Sequence, residues 1–239
     1  MPLIIVANVG QVPAPQFVPP ETVAQRAQAG GSPNAALALA YTYPIISIDQ
    51  RQLSYRQRMG PPGAEFSFDT GTLTLTLRQE MSVSDALSLC ARQKWVAHEN
   101  GHVQDNQGVM GQMDAAIRAD PTLRTIFITQ QWYPRASFAA TQQTIQTTVG
   151  DIFRRLTARA VAARDTRTEY MRVHRDVLRN CPEPYVYEVN WGDTLSGIAA
   201  FFYGRASAWQ TIYRANRGVI GSNPDLIRPG QRLTIPPTP

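Results

Sequence analysis

The order of apolar and polar positions divides the chain into a strand-rich region followed by helices. In PIISIDQ (44–50) and AEFSFDTGTLTLTLRQ (64–79), apolar and polar residues alternate, as is typical of half-buried β-strands. The run Gly60-Pro61-Pro62-Gly63 predicts a turn between them. Within the second segment, FSFDTGTLTLTL predicts either a hairpin or one long strand bent at Thr70-Gly71.

A helical period follows, from about residue 84 to residue 119. Ser82 and Ser84 are candidate N-caps for this helix. Several glycines inside it predict a break near residues 106–111, because glycine weakens a helix. A second long helix is predicted over 140–179, where an apolar stripe repeats every three or four residues.

These patterns predict three segments. Residues 1–40 are rich in Pro, Ala, Gln and Gly, and predict an arm with little core of its own. Residues 41–180 form the predicted main domain, which ends at Asn180-Cys181-Pro182. Residues 185–239 predict a compact β-α-α-β unit. The chain as a whole is therefore predicted to have an α+β fold.

The C-terminal unit begins with the strand YVYEV and continues with a helix that Thr194 caps. A second helix (AWQTIYRAN) and a closing strand (QRLTIP) complete it. The segment closely resembles the LysM family, because the family's pattern recurs in order over its whole length: Val189, Gly192-Asp193-Thr194-Leu195, Ile198-Ala199, Ala215-Asn216, Asn223-Pro224, Ile227, Pro229-Gly230-Gln231, Leu233 and Ile235-Pro236.

LysM modules generally bind glycans that contain N-acetylglucosamine, such as peptidoglycan or chitin. The resemblance therefore implies a shallow groove in which amides and small polar side chains contact the sugar. Tyr203-Gly204 and Trp209 place the module near a LysM subtype of phage-tail-like and intracellular proteins, where it serves as a structural adaptor. Carried over by position, one side of the groove is Gly192, Asp193, Thr194, Leu195 and Ser196, and the other side is Asn223, Pro224, Asp225, Leu226 and Ile227.

Composition excludes several partners. The net charge is +5, and nearly all basic residues are arginines, since Lys94 is the one lysine. These arginines are interleaved with acids, so we expect no nucleic-acid partner. The N-terminus has a short apolar run followed by prolines, and no stretch is long enough to span a bilayer. We therefore expect no signal peptide, no membrane partner and synthesis in the cytoplasm.

An H-E-x-x-H motif lies in KWVAHENGHVQD (94–105). On a helix, His98 and His102 share one face, so two imidazoles can hold one ion with Glu99 beside them. Two neutral imidazoles and a third ligand leave one position open for water, and zinc lowers the pKa of that water towards neutrality. Zinc is therefore the predicted cofactor, and Glu99 the predicted general base.

The HE-x-GH form of the motif and the strand segment at 64–77 resemble the zincin class of metallopeptidases. In that class an edge strand lies over the active-site helix and binds the substrate backbone. The later helix with Asp165-x-x-Thr168 extends the resemblance to a group of bacterial zinc proteases of unknown function. A histidine is expected in that group where this chain has Tyr170.

A third metal ligand must come from elsewhere in the chain. Cys90 and Cys181 could form one disulfide or none. If the two long helices pack antiparallel with these cysteines adjacent, residues 165–174 lie level with the histidine pair. His174 is then the predicted third ligand, and the alternatives are Glu169, Asp165 and Asp105.

These features predict a zinc-dependent peptidase that a LysM module tethers to peptidoglycan. The alternative is a non-catalytic component of a phage tail or phage-like contractile injection system. In that case LysM serves assembly or cell-wall docking, and particle proteins are the partners. Such particles assemble in the cytoplasm and leave by lysis, which agrees with the lack of a signal peptide. An injected toxin cargo with the same chemistry is a third hypothesis.

Overall fold

The computed structural model describes residues 3–32, 38–60, 63–127, 129 and 131–237. Helices and strands are mixed, as the predicted α+β class requires. The strands are β1 (Ile4–Val9), β2 (Pro15–Val18), β3 (Ala40–Gly60), β4 (Gly63–Ser84), β5 (Tyr133–Pro134), β6 (Tyr185–Glu188) and β7 (Arg232–Ile235). The helices are α1 (Pro20–Ala29), α2 (Leu89–Ala119), α3 (Pro121–Phe127), α4 (Phe138–Arg164), α5 (Arg167–Asn180), α6 (Leu195–Tyr203), α7 (Trp209–Ala215) and α8 (Arg217–Ile220).

The chain forms two compact units, whose boundaries do not coincide with the three predicted segments. The first unit contains β1, most of β3 and β4, β5, α3, α4 and the C-terminal part of α2. The second unit contains β2, α1, the first turns of α2, α5 and the C-terminal module. No described helix combines the length and the apolar character that a bilayer crossing requires.

In the first unit, β4 is a single long strand inside a sheet. Its residues 72–77 pair in parallel with β1, from Ile4 opposite Thr72 to Val9 opposite Leu77. β3 also pairs with β4, and Ser47 Oγ donates to the carbonyl oxygen of Thr76. The prediction that this segment is an edge strand is therefore wrong along residues 72–77, because β1 and β3 pair with its two sides. One neighbour comes from the segment that was predicted to be an arm.

The alternation of the sequence sets the core of this unit. Leu73, Leu75 and Leu77 are fully buried, while the threonines between them are half-buried. The three leucines pack with apolar residues spaced three or four apart on α2 and α4, among them Met113 and Val149. The helix predicted over 84–119 begins later, at Leu89, where the Ser88 hydroxyl accepts a bond from the Ala91 amide. Ser82 and Ser84 lie in β4 instead.

The predicted break at 106–111 is wrong, because α2 is continuous. Each glycine costs a helix about 1 kcal/mol relative to alanine. Burial of Val109, Met110 and Met113 around two of these glycines outweighs that cost. The H-E-x-x-H segment is therefore held on a regular helix.

The second predicted helix is in fact two helices, α4 and α5, separated at Asp165-Thr166. Thr166 caps α5, since its side chain accepts from the Glu169 amide. The apolar period did not predict this break. The break depends on a capping side chain that bonds to a few backbone groups and does not interrupt the apolar period.

In the second unit, part of the predicted arm has a small core. Pro20 starts α1, and Val23 and Ala27, four residues apart, are fully buried. They pack with Ala38 and Tyr41. A Cys90–Cys181 disulfide, with Cα atoms 5.7 Å apart, joins the start of α2 to the end of α5.

The C-terminal module has the predicted order of strand, helices and strand. β6 and β7 pair antiparallel, with Tyr185 opposite Ile235. Thr194 caps α6 by accepting from the Gly197 amide at 3.0 Å. The buried Asn216 side chain donates to the carbonyl oxygen of Thr234 and accepts from its amide, so it fixes the end of α7 to β7.

Candidate functional site

The motif residues His98, Glu99 and His102 converge on α2. Their ligand atoms lie within 4.8 Å of one another, and all three side chains are buried. The helical spacing of four residues places the two imidazoles one turn apart on one face. Two neutral imidazoles are ligands that zinc accepts, and a carboxylate beside them can serve as a general base. The described side chains therefore fit a zinc ion here.

Trp95, one turn before His98, holds this part of α2 in place. It is fully buried, and its indole N–H donates to the Tyr185 hydroxyl at 2.8 Å. The indole ring contacts the His98 ring edge to face at 5.8 Å between centroids. This packing restricts the His98 rotamer, because a large aromatic side chain occupies the space beside it.

Asp165, at the break between α4 and α5, lies beside the motif. Its Oδ1 is 3.6 Å from Nε2 of His98, and its side chain is 9% exposed. Two ligand atoms that share a tetrahedral zinc, each about 2.0–2.1 Å from it, lie roughly 3.3 Å apart. The observed separation is therefore close to the separation that a shared ion requires.

Two other predicted ligands have different surroundings. Glu169 binds Arg172 through both carboxylate oxygens, and this pairing lowers the pKa of Glu169. Asp105 lies half-buried on α2. The close group of described residues contains only the three motif residues, so Glu169, Asp105 and Asp165 all lie outside it. The contact with His98 is what distinguishes Asp165.

His174, the predicted third ligand, is also outside that close group of described residues. It is 1% exposed and lies among aromatic rings, with centroids 4.9 Å from its own for Trp95, Tyr170 and Phe201. Neither ring nitrogen has a hydrogen-bond partner within the described residues. Burial lowers the pKa of His174 to about 3, and the nearby His98 contributes to that lowering, so the ring is neutral at physiological pH.

The register of the helices explains these positions. Near the disulfide they align as predicted, since Lys94 Nζ is 3.0 Å from Asp176 Oδ2. The break at Asp165-Thr166 then redirects the chain, and Asp165 comes beside His98. His174 lies within α5, between this break and the disulfide, so the break does not change its level along α2.

Tyr170 lies next to the acidic side chains of the site. Its hydroxyl accepts from the Leu39 amide at 3.3 Å. Burial is the main cause that raises its pKa well above the usual value, and the charges of Glu99 and Asp165 raise it further. The Tyr170 hydroxyl therefore stays protonated at physiological pH.

The predicted sugar-binding residues lie on two loops of the C-terminal module. Asp193 Oδ2 accepts from the Tyr187 hydroxyl and the Asn190 amide, each at 2.7 Å, which fixes the first loop. Asn223 stabilises the second loop, as its Oδ1 accepts from the Asp225 amide. The loop residues are exposed or half-buried except Leu195, whose side chain is in the core of the module: Gly192, Asp193, Thr194, Ser196, Asn223, Pro224, Asp225, Leu226 and Ile227. Leu195 can therefore offer a ligand only its backbone.

One exposed residue of this region was missed at the sequence level. Trp191, directly before Gly192, is 92% exposed. An exposed indole is costly in water and offers a flat apolar face to a sugar ring. Its position before a Gly-Asp turn is the signal that could have identified it, because turn residues face solvent.

Comparisons with known proteins match segments of about fifty residues. Residues 187–236 match the LysM domain family. The Potassium binding protein Kbp of Escherichia coli is 48% identical over 50 residues, which are 21% of this chain and 33% of that protein. An uncharacterised protein of Deinococcus radiodurans is 49% identical over 51 residues, which are 21% of this chain and 19% of that protein.

The chain therefore matches about a third or less of the length of these curated relatives. No solved structure matches it significantly. The family match does not reach α2, so the zincin resemblance depends on the motif and its geometry. The family match does include both loops, and residues 187–236 are a LysM domain.

Proposed function

We propose that this protein is a metal-dependent peptidase whose LysM domain holds it on peptidoglycan. LysM domains bind N-acetylglucosamine glycans, which supports attachment to the cell wall. The observation that carries the catalytic half is the buried group of His98, Glu99 and His102 on one helix, with Asp165 beside it. The Cys90–Cys181 disulfide supports action in an oxidising compartment, outside the cytoplasm.

His98, His102 and Asp165 would hold zinc in this proposal. When bound, the ion would supply Lewis-acid chemistry, which acidifies water and polarises a carbonyl group. Glu99 would accept a proton from the attacking water and pass it to the leaving amine. Tyr170, whose hydroxyl is protonated and near both carboxylates, would donate a hydrogen bond in the same site.

Metal content and one substitution test the catalytic half. We expect purified protein to contain about one equivalent of zinc per chain. Glu99→Gln should retain the metal but hydrolyse casein or muropeptides about 10²–10⁴-fold more slowly. The matched control is Glu80→Gln, which changes an exposed glutamate of β4 in the same way. Equal rates for wild type and Glu99→Gln would remove the peptidase proposal and leave a binding or assembly protein.

Binding to purified sacculi tests the LysM half. Deleting the C-terminal module from residue 185 is a poor test, because Trp95 and His174 pack against Tyr185 and Phe201. Substitution of exposed side chains avoids this problem. Trp191→Ala should weaken sacculus binding about tenfold, and Met59→Ala, which changes an 82% exposed residue of β3, should not. Unchanged binding in Trp191→Ala together with Leu226→Ser would contradict the assignment of these loops to sugar.

A further inference from the structure

The second unit has a cleft that belongs neither to the metal group nor to the sugar-binding loops. Its volume is about 550 Å³. The N-terminal turn of α1, the start of α2, α5, β6 and α6 line it. None of His98, Glu99, His102 or the loop residues from Gly192 to Ser196 lines it.

The floor of the cleft is apolar and aromatic. Tyr185, Phe201 and Phe202 line it together with His174, and the ring centroids of the two phenylalanines are 4.9 and 5.3 Å from that of His174. Aromatic faces carry negative electrostatic potential and attract cations. The floor therefore suits an organic group with a positive charge.

His174 supplies a polar atom on this floor. It is 1% exposed, and neither ring nitrogen has a partner within the described residues. Buried polar groups in proteins are nearly always hydrogen-bonded, so the nitrogens of an imidazole that lines a cleft can bond to a group that enters it. A neutral imidazole has one nitrogen acceptor, which can take a bond from an ammonium N–H.

The rim of the cleft is acidic. Glu21, Asp85, Glu183 and Glu188 line it, and the described residues contain no ion pair to any of these carboxylates. Arg232, the cross-strand partner of Glu188, is the one basic side chain in the lining. Charges of one sign around a concave surface focus the potential and attract the opposite charge.

We propose that this cleft binds an organic ammonium group, with the carbon skeleton on the aromatic floor and N–H groups directed to His174 and the rim carboxylates. A free diamine and the side chain of a diamino acid in a peptide share this chemistry. The site does not depend on the peptidase proposal, because no metal-group residue lines the cleft.

Nitrogen-15 histidine labelling of the full chain tests the site, since there are only three histidines to observe. Titration with 1,5-diaminopentane should shift the His174 resonances saturably and leave those of His98 and His102 in place. 1,5-Pentanediol, which has the same skeleton without charge, should shift none of them. Nα-acetyl-lysine methylamide distinguishes the sources: tighter binding than the diamine indicates a diamino-acid side chain, and weaker binding indicates a free amine.

Matched double variants distinguish the loss of carboxylates in the cleft from a change in the net charge of the protein. Asp85→Asn with Glu183→Gln should weaken diamine binding about tenfold, as expected for two exposed carboxylates. Asp114→Asn with Asp151→Asn removes the same charge from the first unit and should leave the affinity unchanged. His174→Phe keeps the aromatic packing and should weaken binding while the melting temperature is retained. No saturable shift, equal loss in the two double variants, or equal binding of the diol would each overturn the proposal.

Discussion

His98 and His174 are both buried, at 9% and 1% exposure, but their neighbours differ. His98 lies 3.6 Å from the carboxylate of Asp165 and within 4.8 Å of the donor atoms of Glu99 and His102. His174 lies among aromatic rings without a hydrogen-bond partner in the described part of the chain. Trp95 contacts both imidazoles. The comparison shows that the surrounding groups, more than burial, decide what a histidine can do.

The disulfide is expected to give the largest effect, because it joins the helix that carries His98 to the helix that carries His174. Its cysteines are 91 residues apart, so the chain-entropy relation predicts a loss of about 4–5 kcal/mol for Cys90→Ser with Cys181→Ser. Urea denaturation of this variant and of wild type measures the difference. A loss below about 1 kcal/mol would show that packing alone holds the two histidine environments together.

Low pH should destabilise the folded protein through His174. Its pKa is about 3 in the folded protein, against 6.5 for an ordinary unburied histidine. Between pH 3 and pH 6.5 the unfolded chain therefore binds a proton at His174 that the folded protein does not bind. Stability is therefore retained above about pH 6.5 and falls as the pH drops towards 3, by at most about 1.4 kcal/mol per pH unit from this group. In His174→Phe that part of the decline should be absent. The measurement is the free energy of unfolding of both proteins at pH 7, 6, 5 and 4, and parallel curves would contradict it.

Metal binding separates the two histidines directly. Asp165→Asn should weaken zinc affinity at least about a hundredfold, since it replaces a charged ligand with a neutral amide. His174→Phe should leave the affinity as in wild type if Asp165 is the third ligand. A competitive chelator titration measures both. If His174→Phe weakens zinc binding and Asp165→Asn does not, His174 is the third ligand.

The smallest expected effect is local to the aromatic rings. Tyr185→Phe removes the acceptor for the Trp95 indole N–H and should destabilise the protein by about 1–2 kcal/mol, because that buried donor loses its partner. Zinc affinity should not change. Tyr203→Phe, which loses a half-exposed hydrogen bond to the Pro236 carbonyl oxygen, is the control and should cost less. Urea midpoints and the chelator titration together check this prediction.

The parts of the site that could be predicted depend on local sequence. The spacing of His98 and His102 specifies one helix face, and Thr194 specifies the start of α6, within a few residues of chain. The position of Asp165 beside His98 could not be predicted in this way. Its position depends on whether residues 140–179 form one helix or two, and the Thr166 cap that separates them is a weak signal inside a strong apolar period.

The sequence by itself determined the LysM domain, the alternating strand that became β4 and the histidine pair on α2, because each depends on neighbours a few residues apart. Only the tertiary structure decided that Asp165 lies beside His98, that His174 faces an aromatic cleft and that Cys90 bonds to Cys181. Each of these contacts joins distant parts of the chain. Such contacts form only when many weak packing interactions act together, and no short stretch of sequence contains that sum.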